Sequence, residues 1–237
     1  MMEGFILAAG LGTRLRPLTD TRPKALVEIQ EGQGGEKVTL LEVAIRRLEA
    51  AGVEHIVINV HHFADMVVDF VRQRHWQAAI DISDERALLM DTGGGLKKAA
   101  PLFSGRENVL VHNVDILSDI DLLDVEQWHR TQGNLVTLCT SRRSTRRMLA
   151  FDDDLRLTGR RENAAPSAHA MAFSGISVVS PGLFALLPES ERPYPVIDEY
   201  IRLAASHPVR CYEHSTDRWL DVGKPETLEK AKQWILS

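Results

Sequence analysis

An unbroken apolar run, Phe5-Ile6-Leu7-Ala8, and a second strand-like run, HIVINV (55–60), bracket a segment in which Leu41, Ala44, Ile45 and Leu48 recur at helical spacing. A strand apolar at every position is buried on both faces, and a helix with one apolar stripe packs against one of them. Strand, helix, strand in that order predicts parallel pairing through a crossover helix and confines the chain to the α/β class. Thr39 is the expected N-cap of the first helix and Gly52 its stop. Phe63, Met66, Val67, Phe70 and Val71 mark a second amphipathic helix, and Phe63, Met66 and Phe70 are assigned to the core. AIDIS (79–83), NVLVH (108–112) and NLVTLCT (134–140) read as further strands, and Leu26–Ile29 as a short one before the polar loop EGQGGEK (31–37).

The character changes over about 142–170. SRRSTRR (141–147) is a basic run whose arginines Arg142, Arg143, Arg146 and Arg147 are expected on a solvated surface. AFDDDLRLTG (150–159) resembles a hairpin and GRRENAAPSA (159–168) a loop. This stretch is predicted to be a peripheral lobe or flap on a single domain spanning residues 1–237. Beyond it, AMAFSGISVVS (170–180) is a strand, with helices expected around 182–187 and 196–205. A strand near 208–214, the short RWLDV (218–222) and a final helix from Pro225 to about Leu236 complete the pattern.

With 44% hydrophobic residues, 26% charged and a net charge of −5, the composition is that of a globular protein without a general nucleic-acid or anionic-membrane surface. No run approaches a membrane span and the start has no basic leader segment, so cytoplasmic residence is expected. Cys139 and Cys211 form neither a metal spacing nor a disulfide framework. His61, His62 and His112 are not metal-spaced and are read as structural.

The first strand runs into ILAAGLGTRLRPLTDTRPKAL (6–26), at the position where α/β folds bind ligands. It is not a Walker A loop, because it lacks the G-K-[ST] ending. It is not a dinucleotide fingerprint, because Leu15 stands where the third glycine belongs. Instead it combines small residues, which let backbone N–H groups approach an anion, with the cations Arg14, Arg16 and Lys24. That combination suits several phosphates on one ligand. Asp115 and Asp221 each follow an apolar run, and a pair of carboxylates supplies the hard oxygen ligands that Mg²⁺ takes together with phosphates.

LAAGLGTRLRPLT followed by PKAL resembles the signature of the sugar-1-phosphate nucleotidyltransferases. MDTGGGLKKA (90–99) resembles the second glycine motif of that family, VHNVDI (111–116) the strand ending in a metal-binding Asp, and RWLDVGKPETL (218–228) the segment with the second such Asp. Together with FSGIS (173–177), these pieces span most of the chain. The chain length, the DTGGG form and FSGIS are most similar to the members that transfer uridylyl from UTP to N-acetylmuramate 1-phosphate in bacterial cell-wall recycling.

The resemblance implies a Rossmann-like three-layer sandwich with a mostly parallel mixed sheet and a small β-rich lobe. The implied reaction is NTP plus sugar 1-phosphate giving NDP-sugar and pyrophosphate, with Mg²⁺ on Asp115 and Asp221. Arg14 would neutralise the departing pyrophosphate, and Lys24 would hold the α-phosphate and the sugar phosphate. Leu7, Ala8, Ala9, Gly10, Gly12 and Thr13 would face the nucleotide, with Gly93 and Gly94 framing the base. Asn113 and Phe173-Ser174-Gly175 would lie nearer the sugar. The chain offers no Ser, Cys or His nucleophile with a partner, which fits direct displacement with inversion at the α-phosphorus.

Three positions depart from the family pattern. Ala25 replaces the second proline of P-K-P, Val114 replaces the glycine before the metal-binding Asp, and Asp91 stands where close relatives often have Glu. If position 114 requires positive φ, Val lacks the freedom of Gly and the pocket is altered. The competing readings are thymidylyl, guanylyl or cytidylyl transfer to another hexose 1-phosphate or phosphocholine, and a nucleotide-sugar-binding regulatory module without catalysis. Uracil and thymine differ by one methyl group, so the motifs leave the base open. Small-molecule substrates are the expected partners, and a single activity without an appended hexapeptide-repeat domain is expected.

Overall fold

The computed structural model of the chain describes residues 2–31, 37–163 and 169–234. Most of the EGQGGEK loop, the end of GRRENAAPSA and residues 235–236 of the helix expected from Pro225 lie outside the described residues. In chain order the elements are β1 (Met2–Leu7), β2 (Glu28–Glu31), β3 (Lys37–Thr39), α1 (Leu40–Ala50), β4 (His55–Val60), α2 (Ala64–Arg72) and β5 (Ala79–Asp84). Next come α3 (Asp91–Ala99), β6 (Asn108–Asn113), β7 (Ile116–Ser118), α4 (Leu122–Thr131), β8 (Val136–Ser141), β9 (Met148–Phe151) and β10 (Leu157–Arg160). The chain then forms β11 (His169–Val179), α5 (Leu183–Leu186), α6 (Val196–Ala204), β12 (Val209–Glu213), β13 (Trp219–Asp221) and α7 (Pro225–Trp234).

The central sheet runs β5-β4-β1-β6-β11-β9-β10, with β8 also on β11 and β12 on β8. β5, β4, β1 and β6 are parallel, whereas β11 lies antiparallel to β6. Successive strand residues serve opposite faces. Ile6, Ile56, Ile58 and Leu110 pack in one core with residues of α1, α2, α4 and α7; Phe5, Val57, Val109 and Val111 pack in another with residues of α3, α5 and α6. This is a three-layer arrangement with helices on both faces of a mostly parallel mixed sheet. The hairpin expected in AFDDDLRLTG forms as β9-β10 and continues the sheet edge through pairing with β11. Two small antiparallel sheets, β2-β3 and β7-β13, flank the main one.

Local signals place α1 well. The Thr39 side chain accepts from the Glu42 N–H. At the other end Gly52 takes φ +77°, its N–H donates to Glu49 O, and Val53 N–H donates to Leu48 O, a Schellman closure. Other positions differ from expectation. The strand assigned to Leu26–Ile29 begins at Glu28, because Lys24–Leu26 form a 3-10 turn in which Val27 N–H donates to Lys24 O at 3.0 Å. Met66 is 40% exposed, not core, because α2 turns Ala64, Val67, Phe70 and Val71 inward and leaves it beside that stripe. The sequence reading did not anticipate β3, β7, α3 or α4.

Candidate active site

β4 and β6 lie on either side of β1, so the chain reverses its direction of travel across the sheet between β1 and β6. Ligands bind beyond the carboxyl ends of strands at such a switch point. Leu7 of β1 and Asn113 of β6 are registered partners at that point, and two cavities open there. One, about 520 Å³, is lined by Ala9, Gly10, Gly12, Thr13 and Lys24 of the glycine loop with Asn59, Leu89 and Pro193 opposite. The other, about 790 Å³, is lined by Phe173, Ser174, Gly175, Trp219, Asp221 and several arginines. Leu7, Arg14, Asp91, Thr92, Asn113 and Asp115 border both. Asp115 and Arg14 therefore sit on the seam between two compartments.

The loop owes its path to a few anchors. Gly12 has φ +64°, and a Cβ there would fall 2.9 Å from Thr19 Cγ2 and 3.0 Å from Lys24 Cβ. The Gly12 carbonyl accepts from Leu15 N–H and from the Thr19 hydroxyl, each at 2.9 Å. Leu15, which breaks the dinucleotide fingerprint, is buried and pins the turn to the core, while Arg14 beside it stays half exposed. Lys24 is buried and forms an ion pair and hydrogen bond with Asp115 Oδ2.

Asp221 reaches the same place from β13, where it is registered against Ile116 of β7, and Val222 N–H donates to Asp115 O at 2.8 Å. Arg14 Nη2 lies 3.8 Å from Asp221 Oδ2. Burial, and after it the charge of Asp115, raises the Asp221 carboxyl pKa against the pull of Lys24, Arg14 and Arg143. Asp221 Oδ1 is buried without a hydrogen-bond partner. A Cβ on Gly223 would fall 2.6 Å from that oxygen, so only glycine leaves it open. An orphaned carboxylate oxygen beside a second carboxylate fits a hard divalent cation. Among the described residues no cluster of three His, Cys, Asp or Glu is present. Two carboxylates with further oxygens from water and phosphate suit Mg²⁺.

Several expected residues stand differently. The backbone N–H groups of Ala8 and Ala9 donate to Asn59 Oδ1 at 2.7 and 3.2 Å, so that part of the loop turns its donors toward β4. Gly93 and Gly94 are buried in the first turn of α3, both N–H groups pointing to Tyr194 O, and do not line either cavity. A Cβ on Gly93 would fall 2.5 Å from the Tyr194 ring. Their neighbours Asp91 and Thr92 face the cavities instead, and Asp91 takes φ +59°. Val114 is buried and is not among the positive-φ residues, so the site does not demand glycine freedom there.

The expectation that the whole basic run is solvated fails at Arg143. Its guanidinium carbon lies 3.8 Å from the centroid of the Trp219 ring, and the side chain donates to Ser141, Ser174 and backbone carbonyls inside the larger cavity. Burial lowers its pKa, offset in part by Asp221. Asn59, with Glu85 behind it, and Trp219 also escaped the sequence reading. A polar residue inside the otherwise apolar HIVINV strand is the signal that could have found Asn59. His112 fits its structural assignment: it is buried, burial lowers its pKa to about 4, and its Nδ1 lies 2.8 Å from Asn113 O.

A family model described as nucleotidyl transferase matches residues 3–237. The chain is 35% identical to an N-acetylmuramate alpha-1-phosphate uridylyltransferase of Caulobacter vibrioides, over 94% of this chain and 92% of that one. It is 27% identical to a UTP–glucose-1-phosphate uridylyltransferase of Synechocystis, covering all of this chain and 64% of the relative. Among solved structures, HddC from Yersinia pseudotuberculosis superposes with a TM-score of 0.78 at 20% identity, over 99% of this chain and 100% of that one. The last likeness speaks for the fold alone.

Proposed function

The chain belongs to the nucleotidyl transferase family, and from that premise we propose that it transfers the uridylyl group of UTP to N-acetylmuramate 1-phosphate, releasing pyrophosphate. The observation that carries this reading is the seam: two cavities share Arg14 and Asp115, with Lys24 and Asp221 bordering one each. A nucleotide in the smaller cavity and a sugar phosphate in the larger one would bring their phosphates together at that border. The identity and coverage of the Caulobacter relative support the choice of uridylyl and of the acceptor. Recycling of cell-wall sugar in the cytoplasm is the setting that this chemistry suits.

The acceptor phosphate is largely a dianion near neutral pH, its second pKa being about 6, so the reaction needs no general base. One of its oxygens attacks the α-phosphorus of UTP, the bond from that phosphorus to the bridging oxygen breaks, and pyrophosphate leaves in line. Catalysis is then positioning and charge neutralisation. Lys24, fixed in its buried turn at the edge of the smaller cavity, would bind the attacked phosphate and reach the attacking one across the seam. Arg14 faces the charge that accumulates on the leaving group. Asp115 and Asp221 would hold Mg²⁺, which when bound draws the two phosphates together and offsets their repulsion. Asn113 lies beside the acceptor, and Leu89, Asp91 and Thr92 wall the nucleotide side. The regulatory-module alternative loses its best support, since Val114 fits its position without strain.

The test is pyrophosphate release with Mg²⁺ across UTP, dTTP, GTP, CTP and ATP, each paired with muramate-type, glucose, glucosamine, mannose and choline phosphates. The expected result is release with UTP and N-acetylmuramate 1-phosphate, reduced by at least about 100-fold in Asp115→Ala, the scale of removing one preorganised electrostatic group. Turnover of another pair would reassign the substrates, and activity that survives Asp115→Ala would displace the metal site.

A further inference from the structure

The acceptor cavity carries more positive charge than the reacting phosphates require. On the proposed reading those phosphates would meet Lys24, Arg14 and the cation held by Asp115 and Asp221 at the seam. Arg143, Arg147 and Arg160 line the cavity in addition. Arg160 is neutralised by Asp198, whose Oδ1 lies 2.6 Å away. Arg143 and Arg147 have no carboxylate partner among the described residues.

Arg143 is held as a fixed fork. Its Nη1 donates to Ser141 Oγ at 2.8 Å, Ser174 Oγ at 2.9 Å and Ala172 O at 3.3 Å, and Nη2 donates to Phe173 O. Trp219 stacks beneath the guanidinium and ties itself to the same segment by donating from Nε1 to Ser174 O at 2.8 Å. Ser174 Oγ is braced in turn by buried His214, whose Nε2 lies 2.6 Å away. Every acceptor on Arg143 is neutral. Of its five N–H donors, Nε–H and one hydrogen of Nη2 take no acceptor among the described residues. A half-buried cation whose hydrogen bonds all go to neutral groups is only partly compensated by the charge of Asp221, which it does not touch, and burying charge is costly until a direct partner arrives. A side-on carboxylate matches the two remaining donors. Arg147, exposed on the same wall beside Thr145, adds a second cation to that approach.

We infer that Arg143 and Arg147 form a binding wall for a second anionic group on the acceptor, a carboxylate on the sugar distinct from its anomeric phosphate. The inference rests on the reading that this cavity takes a sugar 1-phosphate, and it supplies a reason why an acidic sugar is chosen over a neutral one. The lactyl ether of a muramate and the C6 acid of a uronate are both carboxylates of this kind.

Acceptors matched in pairs separate the carboxylate from the phosphate. N-acetylmuramate and N-acetylglucosamine 1-phosphates differ by the lactyl group, and glucuronate and glucose 1-phosphates by the C6 acid. With UTP, kcat/KM is measured for all four in the wild-type protein, in Arg143→Lys, which keeps the charge but loses the fork, and in Arg147→Ala, an exposed position where folding is not at stake. The wild type is expected to favour the acidic member of at least one pair. Each variant is expected to lower the acidic-to-neutral ratio by on the order of 10-fold or more, the scale of a lost charge-assisted hydrogen bond. A ratio unchanged while both rates fall would assign the arginines to the shared phosphate and overturn the inference. So would a wild type that prefers neutral acceptors, or variants that change nothing. Those outcomes leave the transferase reading intact. No transfer to any acceptor from any nucleotide would overturn that reading, and this inference with it.

Discussion

Gly12 shows how one residue governs the chemistry of the loop. Its left-handed backbone lets the chain double back so that Thr19 closes on the Gly12 carbonyl, and the space that its missing Cβ would fill is taken by Thr19 and Lys24. Gly12→Ala adds an unfavourable conformation of about 1–2 kcal/mol and also pushes Lys24 away from Asp115. The expected outcome is a fall in kcat larger than the loss of stability accounts for, read by comparing steady-state rates with the thermal midpoint. Arg14, Lys24, Asp115 and Asp221 were legible from sequence because fixed motifs surround them. Arg143 was not. Nothing in SRRSTRR separates the arginine that folds under Trp219 from its solvated neighbours, since the partner lies 76 residues away in the chain (219 − 143).

At the scale of elements, the first loop is held from behind by β4 and β5. Asn59, the polar exception in β4, accepts from Ala8 and Ala9 N–H groups and donates from Nδ2 to Glu85 Oε1 at 2.8 Å. Glu85, fully buried just past β5, also accepts from Met90 N–H through Oε2 at 3.0 Å, at the start of α3. Gly95 completes the joint, because a Cβ there would fall 2.7 Å from Glu85 Oε1. One chain of hydrogen bonds thus ties the first loop to the α3 segment that carries Asp91 and Thr92. This gives the three consecutive glycines of α3 a packing role, although the family resemblance had Gly93 and Gly94 framing a ligand and the run concealed the helix. The inner parallel strands β1, β4 and β6 and helix α1 were legible because burial on both faces and clean capping leave direct signatures. β7 and β13 are three residues each and depend on pairing with one another, so no local period announces β7. Asn59→Leu strands two buried backbone donors and the Glu85 carboxylate. It is expected to lower stability by about 2–4 kcal/mol, the cost of two or more unmet buried groups, measured by urea unfolding. Loss of nucleotide affinity at temperatures where the variant is still folded would show that the brace positions the loop.

Across the whole molecule, the sheet separates two cores, and two buried or half-buried histidines sit where helices and strands meet. His129 of α4 lies 2.8 Å from Thr137 Oγ1 on β8 and 3.0 Å from Ser180 Oγ beyond β11. His112 sits inside β6, between the cores, with Nε2 unpartnered. Burial lowers the pKa of both histidines to about 4, whereas in the unfolded chain a histidine titrates near 6.5. Between those values the unfolded state binds protons that the folded state does not. Stability is therefore full above about pH 6.5 and falls as pH drops toward 4, by roughly 1.4 kcal/mol per pH unit for each histidine. His214, lowered in the same direction by burial, adds to that slope. The raised His55 works the opposite way: burial disfavours its charge, but Glu3 and Asp81 outweigh it, so its contribution is full below about pH 6.5 and is lost as pH rises through its raised value. The sum predicts a stability maximum near pH 7 and a steep acid limb. Urea midpoints from pH 4.5 to 8.5 would trace it, and His129→Gln, which keeps hydrogen-bonding capacity without titrating, should flatten the acid limb. An unaltered slope in that variant would mean that protonation of other groups drives the acid unfolding.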